Sequence, residues 1–488
     1  MLGSVYMQEI DLLALVKDVA AQYAQQVSGP QQARLVLDRA FRTALATRSP
    51  CVVVLPHDVQ QQPAPEPEQT HGVVVTAPVW RPARVLPYDE DLDRAVDVLS
   101  AGDKVALLVG QGARHAQQEV VAVAERLGAG IATSLLGKPY VDESLPFVAG
   151  TMGHLGSTAS AHLLGECDTL LIVGSDDPWT EFYPPPSAAR GVQIDIDGRA
   201  VGNRYPIEVG LVGDAAATLT ALLERLPGRT PGPWRRQVEA QVARWHTIAE
   251  RRAFTPADPV NPERVVHALS AQLPADAQVA VDVGSCVYWY ARQLRLPPGV
   301  SAHLSGTLAS MGCSVPYGIA GKLAAPDRPM VVLSGDGAMQ MTGIAELVTL
   351  TALWRSWPDP RFVVCVLANG DLAEVSWEQR EMEGDPRWAA SQSLPAFPYA
   401  GYGDLLGLTG IRVDDPDELD TAWQRALSAD RPVVLEVLTD PAVPLLPPFP
   451  AGAAKLEQMR AGLAQEGGTS ERARRLLETY ASHEQEGR

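Results

Sequence analysis

The sequence runs to 488 residues, enough for about three domains at roughly 150 residues each. Hydrophobic residues make up 46% and charged residues 20%, the balance of a folded globular protein, which argues against disorder along the whole chain. Forty Lys and Arg against 58 Asp and Glu leave a net charge of −18, and so acidic a surface repels polyphosphate, which counts against nucleic acid as a partner. Five scattered cysteines (Cys51, Cys167, Cys286, Cys313, Cys365) contain no Cys-x-x-Cys pair, which speaks against a disulfide framework or a zinc ribbon and fits a reducing cytosol. No apolar run reaches the roughly 18 residues of a membrane span, and the N-terminus lacks a basic-then-apolar leader pattern. A cytoplasmic, multidomain protein is expected.

In residues 1–60, Leu12, Leu15, Val16, Val19 and Tyr23 fall at helical spacing, and Val36, Leu37, Ala40, Phe41, Ala44 and Leu45 predict a second helix. One strand follows at 51–55, apolar on both faces. Such a strand belongs inside a parallel sheet, yet no other convincing strand accompanies it. About 60 residues is also short for an α/β domain, usually about 100–150. The expectation is an incomplete first domain, its missing strands supplied by another chain or by sequence upstream of Met1. Residues 61–89 are rich in proline, with Gln and Glu between, and read as an extended linker.

Residues 90–228 alternate strand and helix. Val105-Ala106-Leu107-Leu108-Val109 is a continuous apolar run before a glycine turn, and 170–173 and 192–196 repeat that character. Continuous apolar strands between helices indicate a parallel sheet covered on both faces. A second proline-rich boundary with one helix spans 229–261. The segment 262–445 opens on Asn261-Pro262-Glu263, an N-cap followed by proline at the first helical position, and carries strand candidates at 278–283, 329–333, 361–367 and 432–438. Residues 446–488 form a helical, charged tail, whose mixed charges suit a solvated or interface helix rather than a membrane contact. The fold class is α/β: three domains of parallel sheet flanked by helices, the first incomplete.

Chemistry concentrates where the strand through Leu333 ends on Gly335-Asp336-Gly337-Ala338. Glycines there let the backbone approach an anion, and the next helix offers free N–H groups. About thirty residues later a second strand ends on Ala368-Asn369-Gly370-Asp371. An Asp and an Asn from two strand ends are hard oxygen ligands of the kind magnesium takes beside a phosphorylated ligand. Read alone, two βα turns with capping side chains would look the same.

The pairing, however, resembles the cofactor motif of the thiamin-diphosphate enzymes. Asp282-Val283-Gly284-Ser285, Gly306-Thr307-Leu308-Ala309-Ser310-Met311-Gly312, Ala338-Met339-Gln340-Met341-Thr342 and Val375-Ser376-Trp377-Glu378-Gln379-Arg380 extend the likeness to the pyruvate oxidase, pyruvate:quinone dehydrogenase and acetolactate synthase branch. The resemblance implies that Asp336 and Asn369, with the backbone carbonyl of Asp371, hold Mg2+. It implies that N–H groups of Gly337, Ala338 and Leu372, with Val283, Gly284, Ser285 and Gly335 nearby, hold the diphosphate of thiamin diphosphate. Met311 would bend the cofactor and the Ala309 carbonyl would accept a hydrogen bond from its pyrimidine. Glu378 and Gln8 fall where relatives have an active-site carboxylate and an active-site Gln. Ala368 departs from the pattern, in a position where many relatives have a first Asn.

The same resemblance raises FAD in the central domain, through the turn Gly110-Gln111-Gly112-Ala113-Arg114 and through Thr133, Lys138, Gly153, His154, Asp195 and Asp197. It implies decarboxylation of a 2-oxo acid, with pyruvate the leading substrate and pyruvate oxidase or pyruvate:quinone dehydrogenase the leading type. Acetolactate-synthase-type carboligation is the alternative, and a catalytically degenerate cofactor-binding or regulatory subunit the non-enzymatic one. The family's pyrimidine-protonating glutamate would lie upstream of the segment read here, so this chain alone is expected to bind cofactor weakly. Its expected partners are a homodimer or homotetramer, or a small subunit carrying the missing half-domain.

Overall fold

The computed structural model of the chain describes residues 4–64, 81, 83–230 and 232–485. Most of the expected linker at 61–89 lies outside the described residues, as does Pro231 of the second boundary. The chain divides into two compact units, Met1–Arg84 and Val85–Arg488.

In the first unit, helix Pro30–Thr47 connects strands β1 (Ala24–Gln26) and β2 (Val52–Val54), which pair in parallel. Two expectations need correction here. The apolar spacing through Tyr23 yields only a four-residue helix, Leu12–Leu15, capped by the Asp11 carboxylate. The strand at 52–54 has a partner after all, because β1 has the sequence Ala-Gln-Gln and carries no apolar signature. A short strand is defined by its backbone ladder, and a polar one leaves no pattern to read. Large apolar side chains of this unit, among them Leu15, Val19 and Phe41, are exposed.

The second unit contains two six-stranded, all-parallel sheets. The central sheet is built from β3 (Val105–Val109), β4 (Gly130–Thr133), β5 (Val148–Thr151), β6 (Thr169–Val173), β7 (Arg190–Asp195) and β8 (Val209–Val212), in the order β5-β4-β3-β6-β7-β8. The other sheet comprises β9 (Gln278–Val281), β10 (Ser301–His303), β11 (Met330–Gly335), β12 (Phe362–Ala368), β13 (Thr409–Val413) and β14 (Val433–Leu438), in the order β10-β9-β11-β12-β14-β13. The strands legible in the sequence (β3, β6, β7, β9, β11, β12, β14) are mostly buried apolar runs. Those that were not (β4, β5, β8, β10, β13) have three to five residues and contain Gly, Ser or Thr. Helix Pro262–Ser270 starts as its sequence requires: the Asn261 side chain accepts from the Glu263 N–H and proline occupies the first turn.

The helix at the second boundary, Pro233–Ala253, is not a loose spacer. Trp234 and Trp245 are buried with the central-sheet core, and Arg252, fully buried, bonds both Glu263 and Glu484 at 3.1 Å. Glu484 belongs to the tail helix Glu471–Gln485 and also accepts from Thr158, while Gln293 bonds Glu263. The Tyr480 ring lies 4.7 Å under the Arg252 guanidinium. One buried cation thus ties together the boundary helix, the tail and helices of both sheets, and the tail is an interface helix within its own chain. Among the described residues no helix is long and apolar enough to cross a membrane. Removing one partner of a buried ion pair strands the other charge, which costs about 3–5 kcal/mol. Glu484→Ala is therefore expected to lower unfolding stability by about that amount in a urea titration, against near-neutrality for the exposed Glu457→Ala.

Candidate functional site

Adjacent parallel strands end at one edge of the sheet, so β9, β11 and β12 deliver their following loops to a single place. A pocket there is lined by Val283, Gly284 and Ser285 after β9, Gly335, Asp336, Gly337 and Ala338 after β11, and Asn369, Asp371, Leu372 and Glu374 after β12, with Met311 on one wall. These are largely the residues that the sequence assigned to one cofactor site.

Asp336 organises the pocket. One carboxylate oxygen accepts the N–H groups of Asn369 (2.9 Å) and Gly370 (2.6 Å), and the other accepts that of Gly337 at 3.0 Å. Burial pushes its pKa up to about 6 against the pull of those three N–H groups. Asn369 Oδ1 accepts the Asp371 N–H at 2.9 Å, forming an Asx turn that presents the amide at the strand end. Asp371 is held by Arg387 at 2.5 Å. Gly337 leaves room for its neighbours: a Cβ there would lie 2.7 Å from the Leu372 side chain and 3.4 Å from the Met311 methyl. The Tyr399 hydroxyl donates to the Asp336 carbonyl at 3.1 Å and is itself held by Gln340.

Met311 is placed from below by Asp282, a buried carboxylate at the end of β9. It accepts from the N–H of Gly312 (2.7 Å) and from both the N–H (2.9 Å) and hydroxyl (2.5 Å) of Ser314. Two residues before Met311, Ala309 sits in the left-handed backbone region (φ +55°), unusual for a residue with a Cβ. The loop from Gly306 to Ser310 is exposed, Leu308 most of all. Two π-helical turns, Met339–Gly343 and Gln379–Glu383, flank the pocket helices; such turns are rare and favour functional sites.

The donor set fits magnesium and a diphosphate: one carboxylate and one amide oxygen at adjacent strand ends, and helix starts at Ser285 and Asp336 without side-chain caps. Two of the N–H groups assigned to the diphosphate are engaged within the chain, that of Gly337 by the Asp336 carboxylate at 3.0 Å. The Leu372 N–H donates to the Gln392 carbonyl at 2.8 Å and is not free for a phosphate, because the chain at 392–394 returns as a short antiparallel bridge beside Asp371. Gln8 belongs to the first unit, where it is exposed with φ +73°.

Glu378 lies on helix Ala373–Glu378, half-buried. Burial raises its pKa first and Glu381 raises it further, while His154 opposes both. Sequence reasoning overlooked Glu374, one turn earlier, whose pKa is pushed up to about 8 by burial and by Glu378. It also overlooked Asp282, Tyr399 and Gln392 as positioning groups. Glu374 was detectable as a carboxylate one turn before Glu378; the other three needed contacts across sequence gaps.

Most of the residues proposed for FAD have partners within the chain. Gly110 and Gly112 serve close backbone packing: a Cβ on either would fall within 2.1–2.6 Å of Gly174. Lys138 is buried and paired with Glu143 at 2.5 Å. His154, buried beside Gly153, is clamped between Glu181 and Glu381, each at 2.8 Å, with the Trp179 ring 4.6 Å away. Burial would lower the His154 pKa, but the two carboxylates outweigh it and raise it. Arg114 turns to His115, Asp195 caps the Asp197 N–H, and Asp197 pairs with Arg199. Among the described residues, Thr133, Thr151 and Ser175 of the central domain keep buried hydroxyls without a partner.

The family description "Thiamine pyrophosphate enzyme, central domain" matches residues 92–222, and "Thiamine pyrophosphate enzyme, C-terminal TPP binding domain" matches 282–437. A Bacillus subtilis protein whose name marks it as thiamine pyrophosphate-containing is 29% identical over 93% of this chain and 76% of its own length. A Pseudomonas aeruginosa protein named a probable 2-ketoarginine decarboxylase is 31% identical over 84% of this chain and 70% of its own. The acetolactate synthase large subunit of Corynebacterium glutamicum is 28% identical over 93% and 73%. Charge reversal in Asp336→Lys is expected to abolish magnesium-dependent binding of thiamin diphosphate in calorimetry; retained affinity would refute the metal assignment.

Proposed function

Because the chain belongs to the thiamine pyrophosphate enzyme family, and its members act on 2-oxo acids, we propose that it decarboxylates a 2-oxo acid, pyruvate first among candidates, with thiamin diphosphate and Mg2+. The observation that carries this reading is the Asp336 carboxylate locked onto the Asn369-Gly370 turn, which sets two oxygen ligands side by side above open helix starts. When bound, thiamin diphosphate supplies the centre that stabilises the carbanion left by decarboxylation. The chain's own residues do the rest. Asp336 and Asn369 hold the metal, Gly337 keeps the floor thin enough for Met311 to reach the pocket, and Asp282 fixes the Met311 loop. The Glu374 carboxyl lines the same pocket.

The reaction type we put first is non-oxidative decarboxylation, which the likeness to a probable 2-ketoarginine decarboxylase supports; the oxidase type suggested by the sequence is the reading that a bound flavin would mark. Carboligation is the second reading, favoured by the likeness to an acetolactate synthase large subunit. We further propose an oligomer, a homodimer or homotetramer or a complex with a small subunit, in which the exposed Leu308 loop and the exposed apolar side chains of the first unit are each covered.

With pyruvate, Mg2+ and thiamin diphosphate, the native assembly is expected to release CO2 without reducing an added acceptor. Acetolactate as the product would select carboligation, and no CO2 from any 2-oxo acid would overturn the proposal. The protein is also expected to purify colourless; a stoichiometric flavin spectrum would select the oxidase reading.

A further inference from the structure

We propose that Glu374 is an acid of the pocket, its carboxyl offering a proton to a substrate oxygen on which negative charge develops. The inference rests on the functional reading above and assigns a residue which that reading leaves without a role. Three observations carry it. Glu374 lines the same pocket as Asp336, Asn369 and Met311. It stands in the first turn of helix Ala373–Glu378 with Glu378 one turn on and Glu381 beyond, so three carboxyls are crowded along one side, and like charges at that spacing repel. The cation available to them is already committed: His154 contacts Glu381 and Glu181, and acts on Glu378 but not on Glu374.

Among the described residues, the influences on Glu374 are burial and Glu378, and no cation is among them. On helix Ser285–Gln293, Cys286 and Tyr288 are a thiol and a phenol whose pKa values are raised by burial and further by the Glu374 charge, and the Arg292 guanidinium lies over the Tyr288 ring, its hydrogen bonds going to carbonyls of His154, Gly156 and Leu446. Arg380 on the same helical run is paired with Glu466. Without a positive partner, burial and the Glu378 carboxyl both favour the protonated form of Glu374.

The proton transfer balances within the pocket. The O–H bond of Glu374 breaks, the bonding pair stays on the carboxyl as carboxylate, and the substrate oxygen becomes a hydroxyl; reprotonation comes from solvent through the half-buried Glu378. A carboxylic acid kept neutral by its surroundings is a better donor at neutral pH than an ordinary glutamate, and a positioned donor contributes roughly 10²–10⁴-fold in rate.

The test uses the native full-length assembly with Glu374→Gln, isosteric with the protonated acid. Infrared difference spectra at neutral pH are expected to show one protonated carboxyl in the parent that the variant lacks, lost as pH rises through about 8. By linkage, the stability that this proton contributes is present below the ordinary glutamate value and lost as pH rises through the raised one, so Glu374→Gln is expected to melt higher than the parent above neutrality. Turnover of the cofactor-loaded variant is expected to fall roughly 10²–10⁴-fold, with thiamin diphosphate affinity within a few-fold of the parent. Identical infrared spectra at neutral pH, or full turnover in the variant, would overturn the proposal. If the parent itself binds no thiamin diphosphate, the functional reading fails while the infrared comparison still decides who holds the proton.

Discussion

Everything at the pocket depends on one carboxylate accepting backbone N–H groups from a neighbouring strand end. Asp336 follows β11, and the groups it binds belong to the turn after β12. Those bonds replace solvation lost on burial and fix the spacing of two loops that carry the oxygen ligands. Parallel strands make this possible because their carboxyl ends share one edge. An antiparallel pair would send the second turn to the far side of the sheet.

Around that clamp the structure is layered by purpose. Asp282 repeats the device one strand over, accepting N–H groups of the Met311 loop, so the pocket wall is held by a second buried carboxylate. The left-handed Ala309 shows the same loop held where its side chain is disfavoured, a strain that tight bonding on both sides sustains. Farther out, Arg252 with Glu263 and Glu484 joins the tail to both sheets. Many of the buried charges here are paired or bonded to backbone groups, whereas the neighbouring carboxyls Glu374 and Glu378 have raised pKa values, Glu374 through burial and Glu378, and Glu378 through burial and Glu381. Strongly shifted groups concentrated beside a set of metal-type ligands are a signature of chemistry rather than of stability.

The central domain teaches a different lesson. Its strand, glycine turn and helix suit a diphosphate as a pattern, yet glycine answers two needs, close approach of a ligand and close approach of another backbone. Here Gly112 meets Gly174, and the histidine and lysine nearby are bound to carboxylates. The pattern is the same in either case, and only the neighbour decides which need is served.

From the sequence alone, the α/β class, the buried strands β3, β6, β11 and β12, and the set Asp336, Gly337, Asn369 and Met311 were legible. Each rests on local chemistry: a continuous apolar run, a glycine at a strand end, a hard oxygen donor at a turn. The polar strand β1, the short edge strands and the loss of the Leu372 N–H to Gln392 were decided by tertiary structure. So was the weight of Glu374, whose pKa is raised by burial and by the Glu378 carboxyl one turn on. A residue's type is written in the chain, but its protonation and its hydrogen-bond partners are properties of what folding places beside it.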